Sequence, residues 1–186
     1  MTYYGGKNLA FSFRQVRNNT IQIAEEIPEG RYSFKGAPDT RSIGQLLTHI
    51  ALGSGIQMHI HESNVDDLKA VNFMELFQKS MAEEASPRTK AEVIALLKAE
   101  GEKVAVFLEG LSDDFLAQPV TQPPGMQPAT KTRFEMLMSM KEHEMHHRGQ
   151  LMLLQRMVGV VPHLTRQMQE RMAQRAAAAA AAAQAR

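Results

Sequence analysis

Four long segments of this chain place apolar residues at every third or fourth position, and no segment of useful length alternates apolar and polar residues. That spacing predicts helices that each bury one face, because 3.6 residues make one helical turn. The first predicted helix extends from about Asn8 to Ile27. The second extends from about Thr40 to His61, with Asp39 or Thr40 as its N-cap.

The other two predicted helices both begin with a capping box, in which a threonine is followed three positions later by a glutamate. Thr89 opens the third helix, which reaches Gly110. Thr132 opens the fourth helix, which extends from about Arg133 to Val158. Four long helices with one short and one long connection predict an all-α protein, a four-helix bundle with short accessory helices.

Two further helices are predicted outside the four long ones. A short helix covers about Asn72–Glu84, and a tail helix begins at Thr165. The unbroken alanine run Ala176–Ala183 should continue the tail helix, since alanine has the highest helix propensity. We therefore divide the chain into a bundle over residues 1–162 and a basic, alanine-rich helical tail over residues 163–186.

The composition mainly excludes functions. Without any cysteine, the chain has no disulfide, no thiolate metal ligand and no thiol nucleophile of its own. A formal net charge of +1 gives little attraction for nucleic acid, and no apolar run approaches the roughly 18 residues of a membrane span. Residues 62–114 carry 12 acidic and 6 basic side chains, which we interpret as a solvated helical face. We expect a cytoplasmic protein with no nucleic-acid or membrane partner.

Two histidines occupy the centre of the apolar stripe of the fourth helix. His143 and His147 lie four positions apart, so both imidazoles project from one face and can share one ion. The stripe comprises Met136, Met140, His143, His147, Leu151, Leu154 and Val158. Two imidazoles inside a bundle cost free energy unless each is hydrogen-bonded or bound to something. A metal ion would satisfy both, and the alternative is a core that holds two hydrogen-bonded histidines.

A third histidine lies on the apolar stripe of the second helix. That stripe comprises Leu46, His49, Gly53, Ile56 and Ile60, and Gly53 leaves space beside the His49 ring. Three neutral imidazoles from two helices leave coordination positions open, as catalytic metal sites do. We therefore predict a divalent-metal site made of His49, His143 and His147. The remaining histidines, His59, His61 and His163, are predicted to lie at the surface. His146 is predicted to lie at the surface or at a helix interface.

Glu144 completes an HExxH pattern with the two histidines of the fourth helix, in which a zinc peptidase uses the glutamate as general base. A thermolysin-like peptidase also needs a downstream glutamate ligand, and only Glu170 follows His147. A peptidase is therefore the weakest candidate. Glu144 is the candidate catalytic residue, as a base or as a partner of a ligand, and the alternative is a surface ion pair with Arg148.

Two segments resemble the DinB/YfiT-like family of small bacterial metal-binding four-helix bundles. They are RSIGQLLTHIA at residues 41–51 and HEMHHRGQL at residues 143–151, and the resemblance covers about residues 3–160. It implies a divalent metal, most often zinc or nickel, with iron or manganese as further options. The implied ligands are one histidine of the second helix and two of the fourth. In this sequence those positions are His49, His143 and His147.

The resemblance also implies candidate activities. Characterised relatives include transferases that depend on bacillithiol or mycothiol, a maleylpyruvate isomerase, and the metal-binding domain of an iron sulfoxide synthase. We expect a metal-dependent enzyme, either a thiol-dependent S-transferase or a hydrolase, that acts on a small-molecule substrate. A transferase would need a low-molecular-weight thiol as co-substrate, because the chain has no cysteine. The alternative is a non-catalytic, metal-binding homodimeric scaffold or stress-response protein, since members of the family commonly form dimers.

Overall fold

The computed structural model of the protein describes residues 4–184, most of which are helical. The helices are α1 (Gly6–Glu26), α2 (Ile43–Leu52), α3 (Gly55–Glu62), α4 (Phe73–Ala85), α5 (Lys90–Glu109), α6 (Asp113–Ala117), α7 (Arg133–Met157) and α8 (His163–Gln184). Short 3₁₀ turns lie at Glu29–Arg31 and Leu68–Ala70. An antiparallel hairpin of two short strands, β1 (Pro119–Thr121) and β2 (Thr130–Thr132), lies between α6 and α7.

The bundle consists of α1, α2, α5 and α7, and both α1 and α2 pack against α5 and α7. The apolar stripe predicted for the fourth helix faces this core, since Met136, Met140, Leu151 and Leu154 of α7 are all buried. The prediction of an all-α four-helix bundle is therefore confirmed. Burial of these stripes supplies the main driving force for the packing.

The second predicted helix begins later than expected, and its cap is Ser42 rather than Asp39 or Thr40. The Ser42 hydroxyl accepts a hydrogen bond from the Gln45 backbone N–H, and the Gln45 side chain accepts one from the Ser42 N–H. Thr40 instead closes the preceding turn, where its hydroxyl donates to the Ala37 carbonyl. The Ser42 box fixes where α2 starts and therefore where His49 lies.

The same predicted helix is also divided in two, because α2 ends at Leu52 and α3 begins at Gly55. Glycine has a low helix propensity, and two glycines flank Ser54 at this point. The division lies directly after the turn that carries His49.

The third and fourth helices follow the prediction closely. Thr89 caps α5 and Thr132 caps α7, and each forms the expected capping box with the glutamate three positions later. Gly159, just after α7, has φ of +88°, a conformation that favours glycine over other residues. Together the two caps set the register of α5 and α7 in the bundle.

The tail helix α8 begins at His163, two residues earlier than predicted. Its first turn is attached to α1, where Arg166 forms an ion pair with Glu26 at 2.6 Å. From Arg166 to Gln184 every residue is exposed, including the alanine run. None of the helices within residues 4–184 has the length and apolar character needed to cross a membrane.

Candidate metal centre

The three predicted histidines meet in the bundle, beside the break between α2 and α3. His49 Nε2 lies 3.2 Å from His143 Nε2 and 3.2 Å from His147 Nε2. One ligand atom from each ring lies within 4.8 Å of the other two. We call these three residues the histidine cluster.

The spacing of the cluster fits a single ion. Two nitrogens bound to tetrahedral zinc at about 2.05 Å lie about 3.3 Å apart. The Nε2 pairs at 3.2 Å are close to that value. The three rings are also inclined to one another, with interplanar angles from 56° to 87°, so they surround a point rather than stack.

Hydrogen bonds on the outer side of two rings decide which nitrogens carry protons. The Glu84 carboxylate lies 2.9 Å from His49 Nδ1, and the Gln150 Oε1 atom lies 2.9 Å from His147 Nδ1. Both oxygens accept, so each Nδ1 donates, and in the neutral rings each Nε2 presents a lone pair. Two lone pairs that face each other at 3.2 Å repel, and a cation between them removes that repulsion.

Two of the three rings are held in the neutral form. Burial, followed by the neighbouring His147 and His49 rings, lowers the pKa of His143 to about 4. Burial also lowers the pKa of His147, against the opposing effect of its bond to Gln150. Neutral imidazole is the form that binds a metal, so both rings are in the ligating form near pH 7.

Glu84 is the functional residue that sequence reasoning missed. It lies on α4, within the acidic stretch interpreted as a solvated face, yet it reaches the cluster and is held there by Arg41. Burial raises the pKa of the Glu84 carboxyl, but the hydrogen bonds with Arg41 and His49 outweigh it and the pKa is lowered overall. The carboxylate is therefore ionised and fixes the His49 ring.

Gly53 leaves space for a histidine ring, as expected, but the ring is a different one. A Cβ atom at this position would lie 2.4 Å from His143 Cε1 and 2.8 Å from His143 Nδ1. The space that glycine leaves is thus filled by His143 of the facing helix, and not by the His49 ring as predicted. Gly149 of α7 has no such role, because a Cβ there would have no neighbour within 4 Å among the described residues.

Glu144 does not face the histidine cluster's ligand atoms. Its side chain is only 1% exposed, and both carboxylate oxygens accept hydrogen bonds from Arg17 Nε of α1, at 3.1 and 3.0 Å. The predicted surface ion pair with Arg148 is wrong, because Arg148 donates to the Val16 carbonyl. The catalytic role predicted for Glu144, and with it the peptidase alternative, receives no geometric support from this arrangement.

The four other histidines divide evenly between correct and incorrect predictions. His59 and His146 are exposed, as predicted. His61 and His163 are 2% and 1% exposed, so the surface prediction is wrong for both. His61 is covered because its Nδ1 accepts from Arg133 and its ring contacts Phe115.

A cleft of about 1010 Å³ opens beside the cluster and is bordered by His147 and Glu84. Its lining combines apolar side chains, Leu46, Leu153, Leu154 and Met157, with polar ones, Lys35, Asp39, Thr40, Arg41, Gln45 and Gln150. A small molecule bound there would reach the cluster from solvent. The arrangement is that of a helical bundle with a histidine cluster beside a cleft.

The comparisons with known proteins define the family. The model of the DinB superfamily matches residues 12–151, three quarters of the chain. The chain belongs to the DinB superfamily. Among curated proteins it is similar to the uncharacterised protein YjoA of Bacillus subtilis, with 26% identity over 149 residues that cover 79% of this chain and 86% of YjoA.

Solved structures show the same fold. The YjoA crystal structure is 24% identical with a TM-score of 0.61, and the alignment covers 81% of this chain and 92% of YjoA. A DinB-like protein from Bacillus cereus is 15% identical with a TM-score of 0.66, over 87% of this chain and 97% of that one. YfiT from Bacillus subtilis, described as a probable metal-dependent hydrolase with an unusual four-helix bundle topology, is 14% identical with a TM-score of 0.64, over 86% and 91%.

Proposed function

We propose that this chain binds one divalent metal ion through Nε2 of His49, His143 and His147 and acts as a metal-dependent enzyme. The observation that carries the proposal is the convergence of lone pairs. Two of the three rings have their Nδ1 protons engaged outside the cluster, by Glu84 and Gln150, which turns Nε2 inward without a proton. In a hydrogen-bonded histidine core, the alternative, His143 Nε2 would be the donor, and the unprotonated Nε2 atoms of His49 and His147 would still face each other at 3.2 Å.

A divalent ion on three neutral imidazoles lowers the pKa of a water or thiol that it binds, and so supplies a nucleophile near neutral pH. The chain's own residues prepare that site. Glu84 and Gln150 orient two of the rings, and the cleft beside His147 holds the substrate. No protein thiol is present, so the nucleophile is a water molecule or a diffusible low-molecular-weight thiol.

Both reaction classes follow from the same site. Hydrolysis is supported by the similarity to YfiT, which is described as a probable metal-dependent hydrolase. Thiol transfer is supported by the resemblance to thiol-dependent transferases and by the lack of cysteine. Imidazole ligands suit zinc and nickel, and also iron, whereas manganese prefers oxygen ligands. Zinc or nickel is therefore the proposed ion.

Metal content of the protein purified without an affinity tag from its native host tests the proposal. We expect close to one equivalent of zinc or nickel by inductively coupled plasma mass spectrometry. The loaded protein is then assayed with a hydrolysable ester, and with a bacterial thiol plus an electrophile, each against His49→Ala. Turnover that depends on His49 supports the enzyme, and the productive assay identifies the reaction class. Absence of any divalent ion would refute the metal centre.

The non-catalytic dimeric scaffold is the second proposal, and the exposed apolar side chains of α4 favour it. None of the thirteen residues of α4 is buried, and Met74, Phe77 and Met81 expose 68%, 52% and 67% of their surface. Such a face is typical of an interface between subunits. Light scattering of the wild type and of Phe77→Ser measures the mass. A dimer that binds metal and turns over none of the test substrates would support the scaffold.

A further inference from the structure

Arg17 is buried at the centre of the bundle although its guanidinium is always charged. The side chain is only 3% exposed, each of its three guanidinium nitrogens donates a hydrogen bond, and its guanidinium carbon lies 5.2 Å from the centre of the Phe13 ring. Nε donates to both Glu144 oxygens, Nη1 donates to the Leu97 carbonyl at 2.9 Å, and Nη2 donates to the Ile50 carbonyl at 3.2 Å. Through these bonds one side chain of α1 is connected to α7, α5 and α2.

Two of the three partners are direct sequence neighbours of the histidine cluster. Ile50 follows His49 on α2, and Glu144 follows His143 on α7. Because a helical backbone is stiff over one residue, atoms bonded to Arg17 restrain where the adjacent His49 and His143 backbones lie. Arg17, which belongs to α1, therefore restrains both of the helices that carry the cluster, α2 and α7.

A contribution to stability does not by itself account for the buried ion pair of Arg17 and Glu144. The cost of removing two charges from water is often as large as their attraction, and apolar replacements of buried ion pairs are often neutral or stabilising. An apolar replacement would not fix the geometry in the same way. A methionine packs in several orientations, whereas the Arg17 guanidinium, hydrogen-bonded to three partners, has a single orientation. Metal sites need that precision, to within about 0.5 Å.

We propose that Arg17 is a positioning residue of the metal centre, which sets the distance between His49 on α2 and His143 on α7 through Ile50 and Glu144. This inference rests on the metal-binding function proposed above. It also assigns a role to Glu144, which holds Arg17 in place rather than acting as a base.

Gly101 on α5 belongs to the same arrangement. A Cβ atom at position 101 would lie 2.7 Å from Arg17 Cγ and 3.1 Å from Arg17 Nη1. The missing side chain gives Arg17 the path by which it reaches the centre of the bundle. Gly101→Ala should displace the guanidinium while every charged group stays in the protein.

The test compares metal affinity with stability in variants of the full chain. In Arg17→Met/Glu144→Met both charges are replaced together, so no unpaired charge stays buried. Zinc affinity is measured by competition with a chelating dye, and the coordination geometry by the visible absorption spectrum of the cobalt form. We expect affinity to fall about tenfold or more, in the range seen for residues outside the ligand set. The cobalt bands should shift or broaden, with a melting temperature at or above that of the wild type.

Two controls separate positioning from general destabilisation. Leu108→Ala removes a buried side chain in the part of the core formed with Leu9, Phe13 and Leu137, and should lower the melting temperature without changing zinc affinity. Gly110→Ala, at the end of the same helix as Gly101, meets only ordinary contacts at 3.6 and 3.7 Å. It should leave both measurements unchanged, whereas Gly101→Ala should weaken zinc binding.

The outcomes are distinguishable. Wild-type zinc affinity and a wild-type cobalt spectrum in Arg17→Met/Glu144→Met would overturn the positioning role and leave the metal centre intact. If the double variant does not fold, wild-type affinity in Gly101→Ala overturns it instead. Failure of the wild type to bind zinc or cobalt would overturn the proposed function, and the positioning role with it.

Discussion

The protein contains two sets of histidines that are shielded from solvent to different degrees, and their ring nitrogens face different partners. His49, His143 and His147 are only partly buried, lie beside a cleft and turn their Nε2 atoms toward one another. His61 and His163 are almost completely buried and far more enclosed, yet each has one polar partner, Arg133 or Asn19. The second ring nitrogen of each has no hydrogen-bond partner within the described residues.

The difference shows that burial alone does not distinguish the cluster from the enclosed histidines. The useful signs are convergence of ring nitrogens and an acceptor behind the ring that fixes its tautomer. His49 and His147 have such acceptors in Glu84 and Gln150. His61 instead faces a guanidinium, which donates to the ring and excludes a cation from that nitrogen.

The largest expected effect is loss of the metal from His143→Ala/His147→Ala. Removing two of three ligands leaves one imidazole, so the stoichiometry measured by mass spectrometry should fall from near one to near zero. His61→Gln/His163→Gln removes the two enclosed histidines and should keep full stoichiometry. Full metal retention in the first variant would contradict the assignment of the ligands.

The next effect is expected for Gly53→Ala. The added Cβ would lie 2.4 Å from His143 Cε1, so the ring must turn away from the cluster. Because the ring is the end of a flexible side chain, stability should change little, while zinc affinity should fall by about 100-fold or more. Gly55→Ala, two residues later, meets no atom within 4 Å and is the matched control in the same dye competition.

A smaller effect is expected for Glu84→Gln, which keeps the shape of the side chain and removes its charge. His49 Nδ1 loses a charged acceptor, so the ring is oriented less firmly toward the cluster, and zinc affinity should fall about 10- to 100-fold. Glu83→Gln is the control, because Glu83 pairs with Arg88 and not with the cluster. Equal affinities for the two variants would show that the carboxylate on α4 has no role in the site.

A separate effect, on stability rather than on metal affinity, is expected in the metal-free protein as the pH falls. Burial, followed by the charge of Arg133, lowers the pKa of His61 from 6.5 to about 4. The unfolded chain therefore binds the proton first, and stability present above pH 6.5 is lost as the pH falls toward 4. The full loss is about 3 kcal/mol. The free energy of unfolding, measured with urea in the presence of a chelator, should depend less on pH in His61→Gln than in the wild type. The exposed His59→Gln should follow the wild type.

Local patterns in the sequence were enough to predict the bundle and the three histidines that meet in it. Helical period identifies the buried face, and a residue such as His143 on that face must meet the facing helix. The ends of α5 and α7 were predictable because capping boxes are contained within four residues. All of these signals lie within one or two turns of the chain.

What the sequence did not reveal depends on contacts between distant segments. Glu84 lies 35 positions from His49, and nothing near it distinguishes it from the other acids of its stretch. The burial of His61 depends on Arg133, 72 positions away. Arg17 did leave a signal, because it lies four residues after Phe13 on the apolar face of α1, where a charged residue needs a buried partner.

The carboxylate behind His49 belongs to a helix that buries none of its residues. Without a buried side chain of its own, α4 is held to the protein in part by the bonds of Glu84 with Arg41 and His49. Local opening of α4 therefore competes with assembly of the site. Occupancy of the cluster should then be visible far from the ion, as slower amide hydrogen exchange along 73–85.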